Sequence, residues 1–548
     1  APRGAVQWTL SVVIALTLAL DLVSAFAPPT ETDALTLHLL VPREYASTHH
    51  MSYFADNWDS AMAMGPHLIY TVAMLASQGD RAPAVLHFLA GVIVLMWVWE
   101  FARRRVGKEA AYIAAAVLVT MPMMTHLIMA PMVDMFFTLY AFGALIFLVE
   151  FMRSPARSLI VTAAALAAFS AGAKYNGLVT MAAVMATAMI WAVFSSRDRA
   201  RSVTSVITAG VVALVLASPF YIRNYAWTGN PVFPTMRSVF HTAGWDAPAW
   251  EDPGLNDPRR DTLRKSAVNM ALSPWRVTTD AETVSGGISE AVGPALLVFL
   301  PVAFLLRSRR KLFLQLALYS AAAFVLIYWT SPRPRSRYFL SIIPVMAVYA
   351  GAGTVFLSKV SLAARQIARA VILFAVLSGL AVSAVYSLPF AKAAAGITGR
   401  DDFLSRSTDF YAEYVWMGEN LPADAAVLVQ ATNDLYYCPR RALRLGLDSR
   451  YTHTDSRAFF ALDDMSTTDE ALGRLRELGV THIFAASWLV QKWRPDSSGL
   501  TLAEFEQSGH LEKVREATGL RGTRNPLAAQ REEPVVLYRV VYETGDAS

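Results

Sequence analysis

The sequence predicts a polytopic α-helical membrane protein carrying a small α/β domain at its C-terminal end. Three observations predict it. Hydrophobic residues make up 55% of the 548-residue chain and charged residues only 17%, against about 25% charged in a soluble domain. Mean hydropathy is +0.37, and apolar stretches near the length of a bilayer span recur up to about residue 390. Residues 391–548 then turn polar and contain no span.

Eleven candidate spans cover residues 6–27, 83–102, 109–129, 135–152, 158–173, 177–194, 203–222, 291–306, 312–329, 338–357 and 370–389. Residues 62–78 are apolar enough to dip into the interface as well. The first span begins like a secretion signal, with Arg3, an apolar run and Ala25-Phe26-Ala27. Pro28 follows the would-be cleavage site and the run is as long as a full span, so we read a retained signal anchor.

The loops alternate sharply in charge. Arg103-Arg104-Arg105 with Lys108, Arg153 with Arg157, Arg197 with Arg199 and Arg201, Arg307 with Arg309-Arg310-Lys311, and Lys359 with Arg365 and Arg369 all fall on one side. By the positive-inside rule that side is cytoplasmic. The N-terminus is then inside, and residues 28–82, 223–290 and 390–548 lie outside, on a side that is periplasmic or its equivalent. The net charge of +5 does not signal nucleic acid, because the Lys and Arg sit in short loops between spans. A single cysteine, Cys438, excludes an internal disulfide.

In the polar C-terminal part, strand-like runs (Val427 to Gln430, Val480 to Ala485, Val535 to Val541) alternate with a helical pattern over 469–478. No catalytic motif stands out there. Support or acceptor docking is its expected role.

The topology brings ionisable residues from distant segments to the outer ends of the spans. Glu31 and Asp33 follow the first span, Asp134 lies in "APMVDMFF", and Lys174 lies in "AGAKYNG". Arg223 and Asn224 open the second outer loop, and Arg333, Arg335, Arg337 and Tyr338 precede the tenth span. Ionisable groups at a membrane boundary are costly unless paired or used. Each also has a plain alternative. Thr30 with Asp33 three residues on is the pattern of a helix-capping box. Lys174 could snorkel from a helix end, the arginines could bind lipid head groups, and Asp134 could pair with one of the bases. His49-His50, with Asp56, Asp59 and His67 nearby, has metal-ligand chemistry, but adjacent loop histidines are more often simply polar.

Together the residues suit transfer of a group from a lipid-phosphate donor. Cations stabilise charge on the leaving phosphate, and a carboxylate takes the proton of an attacking hydroxyl. A transporter or flippase would show internal repeats and midplane ionisable groups. The halves show no repeat, and Asp21 is the one acid inside a span. A non-catalytic assembly factor leaves the clustering unexplained.

Segments along the chain also resemble a known family. They are "DALTLHLLVPREYA", "DNWDSAMAMGPHLIYTVAML", "PMVDMFF", "AGAKYNG", "YIRNYAWTGNPVFP", "GGISEAVGPALLVFLP" and "RSRYFLSIIP". In that order they resemble bacterial GT-C glycosyltransferases of the phospholipid-carrier-dependent, family 39-like kind, relatives of protein O-mannosyltransferases and the lipid A aminoarabinose transferase. The resemblance covers about residues 1–390.

It implies a GT-C-like transmembrane catalytic domain, 1–390, of about 11 helices with outer loops 28–82 and 223–290, and a periplasmic domain, 391–548. "ETD" fits the family's modified acid motif, making Asp33 the catalytic base with Glu31 beside it, and Asp134 a supporting acid. Lys174, Arg223 and Arg337, with Arg335 and Tyr338, match positions that hold donor phosphate, and His38, Asn57 and Asn224 fall to acceptor or loop support. The implied partners are a polyprenyl-phosphate sugar donor, a lipid, glycan or protein acceptor, and membrane lipid. Some GT-C enzymes bind a divalent metal through these acids and many family 39-like members do not; the sequence leaves that choice open. It also leaves open a ligase that moves an oligosaccharide from a diphosphate carrier. The chain lacks a tryptophan–aspartate motif of the oligosaccharyltransferase type, which counts against en bloc protein N-glycosylation.

Overall fold

Apolar runs become helices here because a helix satisfies every backbone N–H and C=O within its own segment, the one economical solution in hydrocarbon. The computed structural model describes residues 4–54, 58–77, 79–236, 239–240, 266–280, 290–303, 310–331, 335–432, 434–444, 467–486, 502–523 and 529–542. Among these, eight helices are long and apolar enough to cross a membrane, or nine if one broken pair counts as a span. The chain divides into two compact units. One comprises residues 1–27, 63–221 and 253–395, and the other 28–62, 222–252 and 396–548.

The first unit holds α1 (Ala5–Ser24), followed after residues 28–62 by α3 (Gly65–Ser77), α4 (Arg81–Arg105), α5 (Lys108–Val119), α6 (Pro122–Met129), α7 (Asp134–Arg153), α8 (Arg157–Ala173) and α9 (Asn176–Phe194). α2 (Leu40–Thr48) belongs to the second unit. α10 (Arg199–Thr228) runs from the first unit into the second. Later helices of the first unit span Ala267–Thr279, Pro294–Ala303, Arg310–Thr330, Ile343–Val360 and Leu362–Ala394.

The span expected over 109–129 is broken: α5 and α6 meet at 67°. Pro122 stands at the start of α6, where its missing N–H breaks no helical bond. Small residues let helices approach closely, as expected where lipid gives no hydrophobic drive to association. Gly351 is the clearest case, since a Cβ there would sit 2.4 Å from the Ala110 carbonyl oxygen.

α7 fixes which groups share an end of this unit. Near its C-terminus Glu150 pairs with Arg105 at the end of α4 and with Arg153 at 3.4 Å. Its first residue is Asp134, about 24 Å from Glu150 along the helix at 1.5 Å per residue. The arginine-rich ends and the candidate site therefore occupy opposite ends of the unit.

In the second unit a five-stranded sheet runs in the order β2-β1-β3-β5-β4. The strands are β1 (Ala426–Val429), β2 (Arg441–Arg444), β3 (His482–Ala486), β4 (Leu511–Arg521) and β5 (Arg531–Val540). β1 is parallel to β2 and β3, whereas β5 is antiparallel to β3 and β4. Alternation along each strand sends side chains to two faces. Leu428, Ile483, Ala485 and Tyr538 join Leu472, Leu475 and Phe505 in one core. Val427, Val429, Phe484 and Leu537 join Phe410, Tyr414, Met417 and Leu435 in the other. Leu40, from residues 28–62, belongs to that second core.

Candidate active site

In the first unit, the end of α8 and the start of α9 set the position of Lys174. The chain leaves helical conformation at Lys174 (φ −160°, ψ 147°), and the Gly177 N–H donates to the Lys174 carbonyl at 2.8 Å. A Cβ on Gly177 would lie 2.0 Å from the Ser170 carbonyl oxygen, so only glycine closes this turn. The Lys174 ammonium donates to Asp134 Oδ1 at 3.0 Å. Asp134 is fully buried, and the Lys174 side chain is 22% exposed. The plain alternative for Asp134, pairing with one of the outer bases, is thus what the structure shows. Its carboxylate also occupies the first turn of α7, where the helix dipole favours negative charge.

Neighbours that sequence reasoning missed hold the turn before Asp134. The Tyr70 hydroxyl donates to the Met132 carbonyl. The Met135 N–H donates to Nε2 of the fully buried His87 at 3.0 Å, so that nitrogen acts as the acceptor. A histidine in an apolar helix reads as core, and nothing in the sequence linked it to a turn 48 residues away.

Lys174 also reaches the "SRY" segment. Its Nζ lies 5.2 Å from the centroid of the Tyr338 ring, and the Arg337 guanidinium is 5.9 Å from the same centroid. Both are cation–π distances. Asn176 Nδ2 donates to the Tyr338 carbonyl at 3.4 Å. Four of the expected residues, Asp134, Lys174, Arg337 and Tyr338, are therefore one cluster.

Beside it lies Glu290, another residue the sequence did not single out. Its carboxylate is 4.0 Å from Arg335 and accepts from the Ser336 hydroxyl at 3.2 Å. The same hydroxyl donates to the Glu290 carbonyl at 2.7 Å. Burial raises the pKa of Glu290 against the opposing pull of Arg337, Arg335 and His126. The one available signal was an acid in "GGISEAVGP" facing a cluster of arginines later in the chain.

In the second unit, Pro28 and Pro29 stiffen the approach to the acids, and helix begins at Thr32. A π-helical turn, Ala34–His38, follows directly, with Leu39 N–H donating to the Ala34 carbonyl at 2.8 Å. Such turns concentrate at functional sites. Glu31 and His38 are buried, and Asp33 is half-buried. Arg223 donates to the Met62 carbonyl and to Asn224 Oδ1 at 2.8 Å, and its guanidinium lies 4.6 Å from the Trp227 ring centroid. It thus ties the segment that begins at residue 222 to the end of residues 28–62. Burial pushes the Tyr45 phenol up to about 12, with the Arg223 charge pulling the other way.

Asn57, Arg333 and Asp56 lie outside the described residues. Among the described residues no group of three or more His, Cys, Asp or Glu gathers to hold a metal ion, and Asp134 is engaged by an ammonium instead. The described donor set does not fit a metal centre.

The comparisons agree with this architecture. Residues 61–222 match the family described as dolichyl-phosphate-mannose-protein mannosyltransferase. The fold is similar to ArnT from Cupriavidus metallidurans, with a TM-score of 0.59 and 15% identity over 97% of this chain and 98% of that one. The same figures hold for ArnT bound to undecaprenyl phosphate. It is also similar to the oligosaccharyltransferase of Archaeoglobus fulgidus tethered to an acceptor peptide, with a TM-score of 0.53 and 12% identity over 96% and 74% of the two chains. No curated protein matches the sequence. The chain is a multi-pass membrane protein with the GT-C fold, the fold of membrane glycosyltransferases that work with lipid-phosphate carriers.

Proposed function

We propose that this protein transfers a sugar from a polyprenyl-phosphate-linked donor to a hydroxyl acceptor at the outer face of a bacterial plasma membrane. The observation that carries the reading is the cluster of Asp134, Lys174, Tyr338 and Arg337. It places two cations and an aromatic face at the end of the first unit opposite the arginine-rich loops, where a lipid head group would arrive.

The chemistry balances. The acceptor oxygen attacks the anomeric carbon, its proton passes to the Asp33 carboxylate, and the bond from that carbon to the phosphate oxygen breaks. The leaving polyprenyl phosphate gains one negative charge. Lys174, Arg335 and Arg337 stabilise that charge, with Arg223 as a further donor-side cation. Glu31 supports Asp33. Asp134, already held by Lys174, aims that ammonium rather than acting as the base. His38, Asn57 and Asn224 serve the acceptor side and its loops. The π-helical turn after Asp33 supports assigning function to that acid.

The test is donor binding by the purified protein, with polyprenyl-monophosphate and polyprenyl-diphosphate sugars offered separately. The reading expects tighter binding of the monophosphate donor. It also expects each of Lys174→Ala and Arg337→Ala to weaken that binding by about 1.5–3 kcal/mol, the range for hydrogen bonds to charged groups. Preference for the diphosphate donor would make the protein an oligosaccharide ligase. Unchanged binding in both variants would return these cations to anchoring the protein among lipid head groups.

A further inference from the structure

The sequence assigns the C-terminal domain support or acceptor docking, and one of its loops fastens the acid-bearing segment at two points. The Tyr437 hydroxyl donates to the Pro29 carbonyl at 2.8 Å, two residues before Glu31. Beyond the acids, the Arg43 guanidinium lies 4.9 Å from the centroid of the Tyr436 ring and donates to the Tyr436 carbonyl. Leu40 is buried in the core that also holds Leu435 and Cys438. Residues 31 and 33 are thus bracketed by contacts to adjacent residues of one loop, the one that follows β1.

The loop is itself held firmly. The Cys438 N–H donates to the Leu435 carbonyl at 3.0 Å. The Tyr437 ring meets Tyr411 edge-on at 5.6 Å and lies 5.6 Å from the Arg400 guanidinium. Pro28 and Pro29 supply no backbone N–H, and helix begins only at Thr32. A π-helical turn then follows, a geometry that persists where surrounding contacts over-determine it.

We infer that Tyr437, with Tyr436 gripping Arg43, is a positioning residue: it holds the Pro29–Asp33 segment so that the Asp33 carboxylate keeps its working geometry. The C-terminal domain is then part of the catalytic apparatus through this loop. The inference rests on the reading of Asp33 as the base.

Tyr437→Phe removes one hydroxyl and keeps the ring contacts, so the full-length protein should fold. Hydrogen exchange of the amides in residues 30–39 should speed up, and kcat for sugar transfer should fall roughly three- to tenfold, the worth of one hydrogen bond. KM for the donor should stay within about twofold, because no donor-side cation is touched. Combined with Asp33→Asn, the hydroxyl deletion should cause little further loss, since residues that act through one group are not additive. Parental exchange over 30–39 would overturn the inference, and so would a full-sized additional loss on top of Asp33→Asn. If the parent transfers no sugar from any polyprenyl-phosphate donor, the functional reading fails, while the exchange measurement still decides whether the loop holds the segment.

Discussion

Asp134 and Lys174, 40 residues apart in sequence, form an ion pair of 3.0 Å in which the acid is fully buried. A buried carboxylate needs a cation to answer it or must keep its proton. Asp134 is committed to Lys174, and Lys174 in turn lies over the Tyr338 ring beside Arg337. The proposed function accordingly assigns the proton transfer to Asp33 and gives Asp134 the aiming of Lys174.

Removing Lys174 should therefore do more than weaken donor binding. Lys174→Met leaves Asp134 buried without its partner, and breaking a buried pair from one side costs about 3–5 kcal/mol. Thermal stability should fall sharply in the single variant and recover largely in Lys174→Met/Asp134→Asn, where no buried charge is stranded. Equal melting temperatures for the parent and the single variant would show that Asp134 does not depend on Lys174.

Glu290 gives a pH dependence whose sign follows from its burial. Its pKa is raised from the ordinary value of 4.5, so the folded protein holds a proton on Glu290 at pH values where the unfolded chain has lost it. Stability from this group is then greatest at low pH and is lost as pH rises through the folded pKa. Glu290→Gln keeps an acceptor for Ser336 and removes the buried charge. It should raise the melting temperature relative to the parent at pH 7 to 8, with the difference vanishing as pH falls toward 4.5. A variant less stable than the parent at pH 8 would show that the pull of Arg335 and Arg337 outweighs the burial.

Sidedness is open to a direct check, because the single cysteine, Cys438, is buried and gives little background. A cysteine placed at the exposed Arg104 should be protected from an impermeant thiol reagent in intact cells, and one placed at the exposed Ser508 should react. The motive is the loop charge asymmetry. Labelling of the Arg104 position from outside would reverse the topology and remove the site from the outer face.

The parts of the fold that were legible are those written locally. Spans follow from hydropathy, and the apolar strands β1, β3 and β5 follow from short runs of Val, Ile, Leu and Phe. The edge strands β2, "RALR", and β4, "LEKVREATGLR", carry too much charge to read as strands; pairing on one side only lets them expose it. The break between α5 and α6 was hidden because both halves are apolar, although Pro122 marked it. At the site, Asp134, Lys174, Arg337 and Tyr338 stood out as polar residues in apolar surroundings. Their mutual contacts did not, because a pairing across 40 residues leaves no local pattern. Tyr70, His87 and Glu290 were missed for the converse reason: each resembles an ordinary core or loop residue until the chain is folded.

The central claim is that Asp33 takes the proton of the acceptor hydroxyl, and transfer of sugar from a polyprenyl-phosphate donor by Asp33→Asn, assayed in vitro beside the parent, tests it most directly. Asparagine is nearly isosteric with aspartate and tolerated at a helix start, so expression, folding and donor binding should survive. It cannot accept the proton, so turnover should fall by about two to four orders of magnitude. Asp134→Asn should be milder in the same assay, because the proposed role of that residue is to aim Lys174. Near-parental turnover by Asp33→Asn would contradict the account and move the base to Asp134 or out of this chemistry altogether.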